Sequence, residues 1–498
     1  MRIKFIRINR FVTLAALCLF SVQLALAQNP TAPSAQQIAA QVDEYLNAAV
    51  KYNHFSGSVL VARDGQPVIS KGYGMANYEL NVPNTPQTVC RIGSITKQFT
   101  AMAILMLQER SKLNVNDPIC KHLENCPAAW QPVTIRHLLT NTSGILNYTD
   151  LPGFNKIAVQ PFTRAELVDL FRDKPLKFTP GEKFDYSNSG YYLLGLIIEK
   201  ASGKPYAEFL RDNIFVPLGM KNSGYDDSQT LLPNRANGYE WKGKSFINAR
   251  YINMATPYSA GALYSTTEDL LLWDKALYTE KLVSRKSLDE MFAPFRELVL
   301  VRDGWVGYAY AYGWMIGKQS GRQVSRHDGG IRGFSTDIIR FPSERVTVIV
   351  LSNNQDVVPY KLANDLSAIA FGAPYKLPVL PVSEVLAATI AQKGIAPALQ
   401  QYREFKRTQP DNYDFSEPVL DRLGYDLLRS QKVKEAIEIF KLNVEMFPQA
   451  FNVYDSLGEA YMVYGDKELA IKNYEKALEL NPQNTNSVNM LKKLRGSN

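Results

Sequence analysis

The sequence predicts an α+β fold up to about residue 373, followed by an all-helical tail. Three observations predict it. Two strand-like runs open the first part, two more close it around a helical middle, and the tail repeats itself every 34 residues. Ser58–Ala62 and Pro67–Gly72 are β-rich and are joined by Asp64-Gly65, a hairpin signal. Ser94–Gln108, Tyr191–Ser202 with Gly203 behind it, and Thr267–Leu277 carry the spacing of helices. Thr336–Phe341 and Arg345–Ser352 read as strands around Pro342-Ser343. Strands at both ends imply one sheet completed by the two ends of the domain.

Residues 374–381 are Pro-rich and read as a linker, and 382–498 is helical in pattern. Within it Leu423-Gly424, Ala436, Phe440 and Pro448 return as Leu457-Gly458, Ala470, Tyr474 and Pro482, each 34 residues later. That period, with Tyr454, Leu457-Gly458 and Tyr461, resembles the tetratricopeptide repeat, a pair of antiparallel helices. Ala398, Tyr402 and Pro410 form a degenerate third copy 38 residues before Ala436, Phe440 and Pro448. By that resemblance the tail stacks helices and offers a face to a protein partner.

At 498 residues, 46% of them hydrophobic, the chain is too apolar for a disordered protein and too long for one core. Half of its net charge of +8 comes from Arg2, Lys4, Arg7 and Arg10, ahead of an apolar run from Phe11 to Ala27 that ends on Ala25-Leu26-Ala27. Residues 1–27 therefore read as a secretory signal peptide, with an uncleaved anchor as the alternative. The remaining chain would carry only +4, too little to imply nucleic acid, and no later run is apolar for long enough to span a membrane. The expected location is periplasmic or secreted. Disulfides survive there, and Cys120 and Cys126 are expected to close a small loop. Cys90 reads as a buried small hydrophobe rather than a nucleophile.

Three short segments carry chemistry. In Ser94-Ile95-Thr96-Lys97 the Ser opens a helix and the Lys lies one turn on, where it can face the hydroxyl. A serine hydroxyl needs a neighbouring base, and a desolvated lysine can serve. Tyr186-Ser187-Asn188 follows Phe178-Thr179-Pro180-Gly181 and precedes a helix. A nearby ammonium would favour the Tyr186 phenolate, and the Asn188 amide can hold Lys97 and a substrate together. Tyr251-Ile252-Asn253 competes with it. In His327-Asp328-Gly329-Gly330, leading to Arg332 and Gly333, the glycines let a strand edge approach a ligand and donate an N–H. His54, His122 and His137 have no such setting. His and Cys do not cluster at ligand spacing, so neither metal nor cofactor is expected.

The order Ser-x-x-Lys, Tyr-x-Asn, His-x-Gly resembles the penicillin-recognising serine hydrolases: class C β-lactamases, D,D-peptidases and related esterases. The stretches Thr134–Gly144 and Tyr258–Thr266 are similar to that family too. The resemblance implies a β-lactamase/transpeptidase-like antiparallel sheet flanked by helices, with an all-helical subdomain, over residues 28–373. It implies Ser94 as nucleophile, Lys97 and Tyr186 in proton transfer, and Asn188 as a substrate holder. It further implies the N–H groups of Ser94 and Gly330 as the oxyanion hole, with His327, Asp328 and Gly329 on the substrate side. Asp328 stands where members that bind a substrate carboxylate have Ser or Thr, and Arg332 would neutralise it or bind an anion. The expected substrate is a small molecule or peptide with an amide or ester bond. A non-catalytic protein acting through its tail is the alternative from another class.

Overall fold

The computed structural model describes residues 33–52, 55–242, 245–295, 297–298 and 305–496. The leader expected at 1–27 and His54 lie outside these residues. The chain opens with α1 (Ala35–Lys51), capped by the Ser34 side chain, and the hairpin β1 (Gly57–Arg63) and β2 (Gln66–Tyr73). Helices α2 (Thr96–Glu109), α3 (Asn188–Ser202) and α4 (Thr267–Ala276) lie in the middle region. The chain then returns to the sheet as β3 (Glu297–Leu298), β4 (Trp305–Tyr310), β5 (Met315–Gln319), β6 (Arg322–Ile331), β7 (Phe334–Phe341) and β8 (Val346–Ser352), before α5 (Pro359–Phe371).

These strands form one antiparallel sheet in the order β3-β4-β5-β6-β7-β8-β1-β2. β8 pairs with β1 from Ser352 opposite Gly57 to Val346 opposite Arg63, so the two ends of the domain do complete the sheet. Both faces are covered. Val59 and Val61 face a core shared with Ile38, Val42 and Leu46 of α1 and Leu362 and Leu366 of α5. Leu60 and Ala62 face the larger core with Phe99, Met102, Tyr191 and Leu194. Double burial explains why β1 reads as an unbroken apolar run rather than an alternating one.

The strand and helix patterns match to within a few residues, with two instructive shifts. Ser94 lies in a 3₁₀ turn, Gly93–Ile95, and the α-helix proper starts at Thr96. α3 begins at Asn188 rather than near Tyr191, because the Ser187 side chain accepts from Gly190 N and caps the helix there. A disulfide joins Cys120 to Cys126. Cys90 is buried, and burial pushes its thiol up to about 12, which leaves it inert.

Seven helices follow among the described residues: α6 (Val382–Lys393), α7 (Ile395–Thr408), α8 (Glu417–Arg429), α9 (Val433–Met446), α10 (Phe451–Tyr464), α11 (Lys467–Leu480) and α12 (Thr485–Arg495). They share a core of their own that includes Ala398, Tyr402, Leu423, Phe440, Leu457 and Tyr474. The 34-residue period has a direct steric cause. A Cβ on Gly424 would lie 2.4 Å from the Phe440 ring, and one on Gly458 would lie 3.1 Å from the Tyr474 ring, so each glycine admits its partner's aromatic side chain. The end of the Pro-rich stretch is not free chain: Leu380–Pro381 pairs in parallel with Tyr413–Asp414.

Candidate active site

Lys97 lies in the first turn of α2, is 0% exposed, and has three acceptors around its Nζ. These are Ser94 Oγ at 3.0 Å, Asn188 Oδ1 at 2.9 Å and the Ala260 carbonyl at 2.9 Å. Three elements therefore converge on one nitrogen. The Ala260 carbonyl comes from the Tyr258–Thr266 stretch, whose neighbouring Ser259 accepts from Thr100 of α2 and bonds the Tyr191 carbonyl of α3. The Thr134–Gly144 stretch holds the third element. Asn141, at φ +55°, accepts from Ser187 N through its side chain and from Asp185 N through its carbonyl. Asn188 is fixed further by Asn147, which accepts its N–H, and by Thr149, which accepts from Nδ2.

Burial pushes Lys97 down to about 7, opposed by the negative charge of Asp328. At that value the bond to Ser94 can run either way. An ammonium donates three bonds, whereas the neutral amine donates two and accepts the Ser94 hydroxyl in its lone pair, the arrangement proton transfer requires.

Tyr186 does not behave as the sequence led us to expect. Its phenol is held well above its ordinary range, chiefly by burial, with Tyr310 and Asp328 adding to the rise and a hydrogen bond with Ser94 opposing it. Lys97 Nζ sits 4.7 Å from the centre of the Tyr186 ring, over its face, and spends its bonds on Ser94, Asn188 and Ala260. Desolvation thus outweighs the expected help of the ammonium, and the shift favours the protonated phenol over the phenolate.

The third segment lies on β6. β5 pairs with β6 only over Arg322–Arg326, so from His327 onward the outer edge of β6 is bare. This bare edge meets the Ser94 turn. Gly93 has φ +51°, and a Cβ there would lie 2.9 Å from Gly330 N; one on Gly329 would lie 2.1 Å from the Ile92 carbonyl. Thr336 fastens the contact by donating to the Ile92 carbonyl at 3.0 Å. Only glycines allow this approach at positions 93 and 329, which brings the Gly330 N–H beside the Ser94 turn.

His327 is buried, and desolvation pushes it down to about 4. Its Nδ1 bonds the Asp328 carbonyl at 2.6 Å and its Nε2 bonds the Tyr310 hydroxyl at 3.0 Å, so the ring is neutral, with Nδ1–H donating and Nε2 accepting. Tyr310 is a site residue that no motif announced. It belongs to β4, and only the sheet order brings it to His327. Of the two roles expected of Arg332, neutralising Asp328 or binding an anion, the first is not the one its bonds serve. Arg332 donates to the carbonyls of Tyr251 and Asn155 and to Asn155 Oδ1, a strap from the β6–β7 turn to the Tyr251 loop and the one-turn helix Phe154–Ile157. The competing Tyr251-Ile252-Asn253 segment stays outside: Tyr251 is 58% exposed, and Asn253 Oδ1 serves Ala255 N.

Residues 35–372 match the Beta-lactamase family. The chain belongs to it. A family member of this kind is a serine hydrolase. Residues 456–484 match the Tetratricopeptide repeat. Among curated relatives, Penicillin-binding protein 4* of Bacillus subtilis (strain 168) is 29% identical over 444 residues, 84% of this chain and 95% of its own. Among solved structures, the octameric penicillin-binding protein homologue from Pyrococcus abyssi is 30% identical with a TM-score of 0.61, covering 70% of this chain and 81% of that one. A D-stereospecific amidohydrolase from Streptomyces sp. is 26% identical with a TM-score of 0.57, covering 68% and 99%. No helix among the described residues is long and apolar enough to cross a membrane, and no group of three or more metal-ligating side chains occurs among them.

Proposed function

We propose that the protein is an exported serine hydrolase that forms an acyl-enzyme on Ser94 from an amide or a carboxylic ester, D-amino-acid derivatives included. The observation that carries this reading is the 3.0 Å contact between Ser94 Oγ and a lysine whose amine is neutral in part at pH 7. Ser94 passes its proton to Lys97 Nζ as its oxygen bonds the substrate carbonyl carbon. The carbonyl oxygen takes the negative charge beside the N–H groups of Ser94 and Gly330. Collapse expels the amine or alkoxide, which takes the Tyr186 proton, and the proton held by Lys97 returns to the phenol oxygen through solvent in the cleft, since Lys97 itself lies over the ring face. Water then attacks the ester by the same route, with Lys97 again the acceptor. Asn188 keeps Lys97 in place.

Export is supported by the signal-peptide pattern at 1–27 and by the Cys120–Cys126 disulfide, a bond that persists in oxidising compartments. β-Lactams and D-Ala-D-Ala peptides place a carboxylate beside the scissile bond. Asp328 opposes such a group, so D,D-carboxypeptidase and β-lactamase activities rank below ester and amide hydrolysis.

The test is a panel of chromogenic esters, D-amino-acid amides and a chromogenic cephalosporin, assayed for the native chain and Tyr186→Phe. The phenylalanine variant is expected to lose about 10²- to 10⁴-fold in kcat with KM little changed, because it removes the proton donor and leaves the substrate contacts. Retained turnover in Tyr186→Phe, with loss in Tyr251→Phe, would hand the role to the other segment.

The tail is proposed to bind a protein partner rather than to catalyse. Its packed core draws only on residues from Val382 onward, distinct from the two cores around the main sheet. A chain ending before Pro378 is expected to keep hydrolysis of small esters largely intact. A soluble, folded truncation that hydrolyses none of them would mean that the tail helps to build the site.

A further inference from the structure

The two N–H groups placed at the oxyanion hole come from different parts of the fold. Ser94 sits in the turn ahead of α2, whereas Gly330 is on β6. Their relative placement has to be fixed, because such a donor works only where its N–H meets the developing charge. Among the described residues, one hydrogen bond joins the turn 92–95 to the main sheet, and its donor is the Thr336 hydroxyl of β7. Thr336 is fully buried and is the register partner of Gly329. Register partners send their side chains to one face of the sheet, and Gly329 has none, so the Thr336 side chain has room beside the β6 backbone. A Cβ on Gly329 would come within 2.5 Å of Thr336 Oγ1.

That hydroxyl has two acceptors, the Ile92 carbonyl at 3.0 Å and the Gly329 carbonyl at 3.2 Å. It carries one hydrogen, so the two carbonyls share it in a three-centre bond. Each carbonyl governs one donor of the hole. The Ile92 carbonyl also accepts from Ile95 N at 3.2 Å, the bond that closes the turn around Ser94. The Gly329 carbonyl and the Gly330 N–H are the two ends of one planar, trans peptide group and point opposite ways, so a bond that fixes the first also aims the second.

We propose that Thr336 is the positioning residue of the oxyanion hole, and that its shared hydroxyl proton sets the spacing and direction of the Ser94 and Gly330 N–H groups. This role rests on the serine-hydrolase reading above. Thr336 acts through two peptide groups and does not touch the substrate. Without its hydroxyl the turn and the strand still meet at Gly93 and Gly329, but the Gly329 peptide is free to tilt and its N–H no longer aims at the oxyanion. A neutral ground-state carbonyl depends on that aim less than an oxyanion does, so kcat suffers more than KM.

The test compares the native chain with Thr336→Val, which keeps the shape and removes the donor, and Thr336→Ser, which keeps the donor and removes the methyl group. Each is assayed with p-nitrophenyl propionate and with its thionoester, in which sulfur replaces only the carbonyl oxygen. Sulfur is larger and a weaker acceptor, so a well-aimed hole favours oxygen and a loosened one discriminates less. Thr336→Val is expected to lower kcat for the ester about tenfold with KM little changed, and to lower the ester-to-thionoester ratio of kcat/KM by a similar factor. Intrinsic reactivity cancels when that ratio is compared between chains. Thr336→Ser is expected to restore both quantities to within about twofold of native. An unchanged ratio in Thr336→Val overturns the proposal, whether or not kcat falls. Equal losses in the serine and valine variants overturn it too, since the side chain would then act by packing. Absence of Ser94-dependent hydrolysis of the ester by the native chain overturns the hydrolase reading instead. Should Thr336→Val fail to fold, Thr336→Ala removes the same donor with a smaller side chain and is read in the same way.

Discussion

Replacing Ser94 by alanine is expected to lower ester turnover by about 10⁴-fold or more and to abolish covalent labelling. The size of the effect follows from what is lost. Ser94 is the proposed nucleophile, and among the described residues no other hydroxyl is bonded to Lys97 Nζ, whose remaining partners are the Asn188 amide and the Ala260 carbonyl. Water entering the space left by Oγ would meet the same lysine and the same N–H groups, which is why a residual rate above the uncatalysed one is expected. The variant should fold normally, because Ser94 sits in a short turn and its side chain opens on the cleft rather than filling the core. A fluorophosphonate or a labelled penicillin should mark the native chain, and peptide mapping should place the adduct on Ser94. An adduct that persists undiminished in Ser94→Ala would exclude Ser94 as the nucleophile.

The elements that were legible in the sequence are those whose cause is local. The β1–β2 hairpin follows from apolar runs around Asp64-Gly65, and α3 ends where Gly203 takes a left-handed conformation at φ +70°. The tail was legible because each repeat poses the same packing problem, a glycine under an aromatic ring, and solves it the same way at Gly424 and Gly458. What stayed hidden depends on residues distant in sequence. Ala260 supplies a carbonyl to Lys97 from 163 positions away, and Tyr310 reaches His327 only because β4, β5 and β6 lie side by side. The direction of the Tyr186 shift was hidden for a related reason. Proximity of a lysine can be inferred from a motif, but the depth of burial that outweighs it cannot, because it is set by Tyr310 and by the whole packing around the cleft. Arg332 shows the converse. Its closeness to Asp328 in sequence implied a pair, yet the turn after β6 carries it toward Asn155 and Tyr251.

Replacing Lys97 by methionine is expected to reduce activity by about 10²- to 10⁴-fold and, at the same time, to change how stability depends on pH. Methionine fills a similar volume without a charge, so the core around α2 need not collapse. The pH effect has a definite sign. Lys97 has a folded-state value near 7, against 10.5 for an ordinary lysine, so between those values the unfolded chain binds a proton that the folded chain does not. Stability of the native protein therefore rises with pH across that window because of this residue, by about 1.4 kcal/mol per pH unit at most, and below pH 7 the full cost of the buried ammonium is felt. The methionine variant lacks this term. Its other titrating groups are the same, so the difference in stability between variant and native chain isolates Lys97. Loss of a donor to Asn188, Ala260 and Ser94 shifts that difference by a constant, since none of these three acceptors titrates. Denaturation followed from pH 6 to pH 10 should then show the variant at its best relative to the native protein at the acid end and losing ground steadily as pH rises. A difference that stays flat over this range would mean that Lys97 keeps its proton in the folded state, and the proton would then have to leave Ser94 by another route.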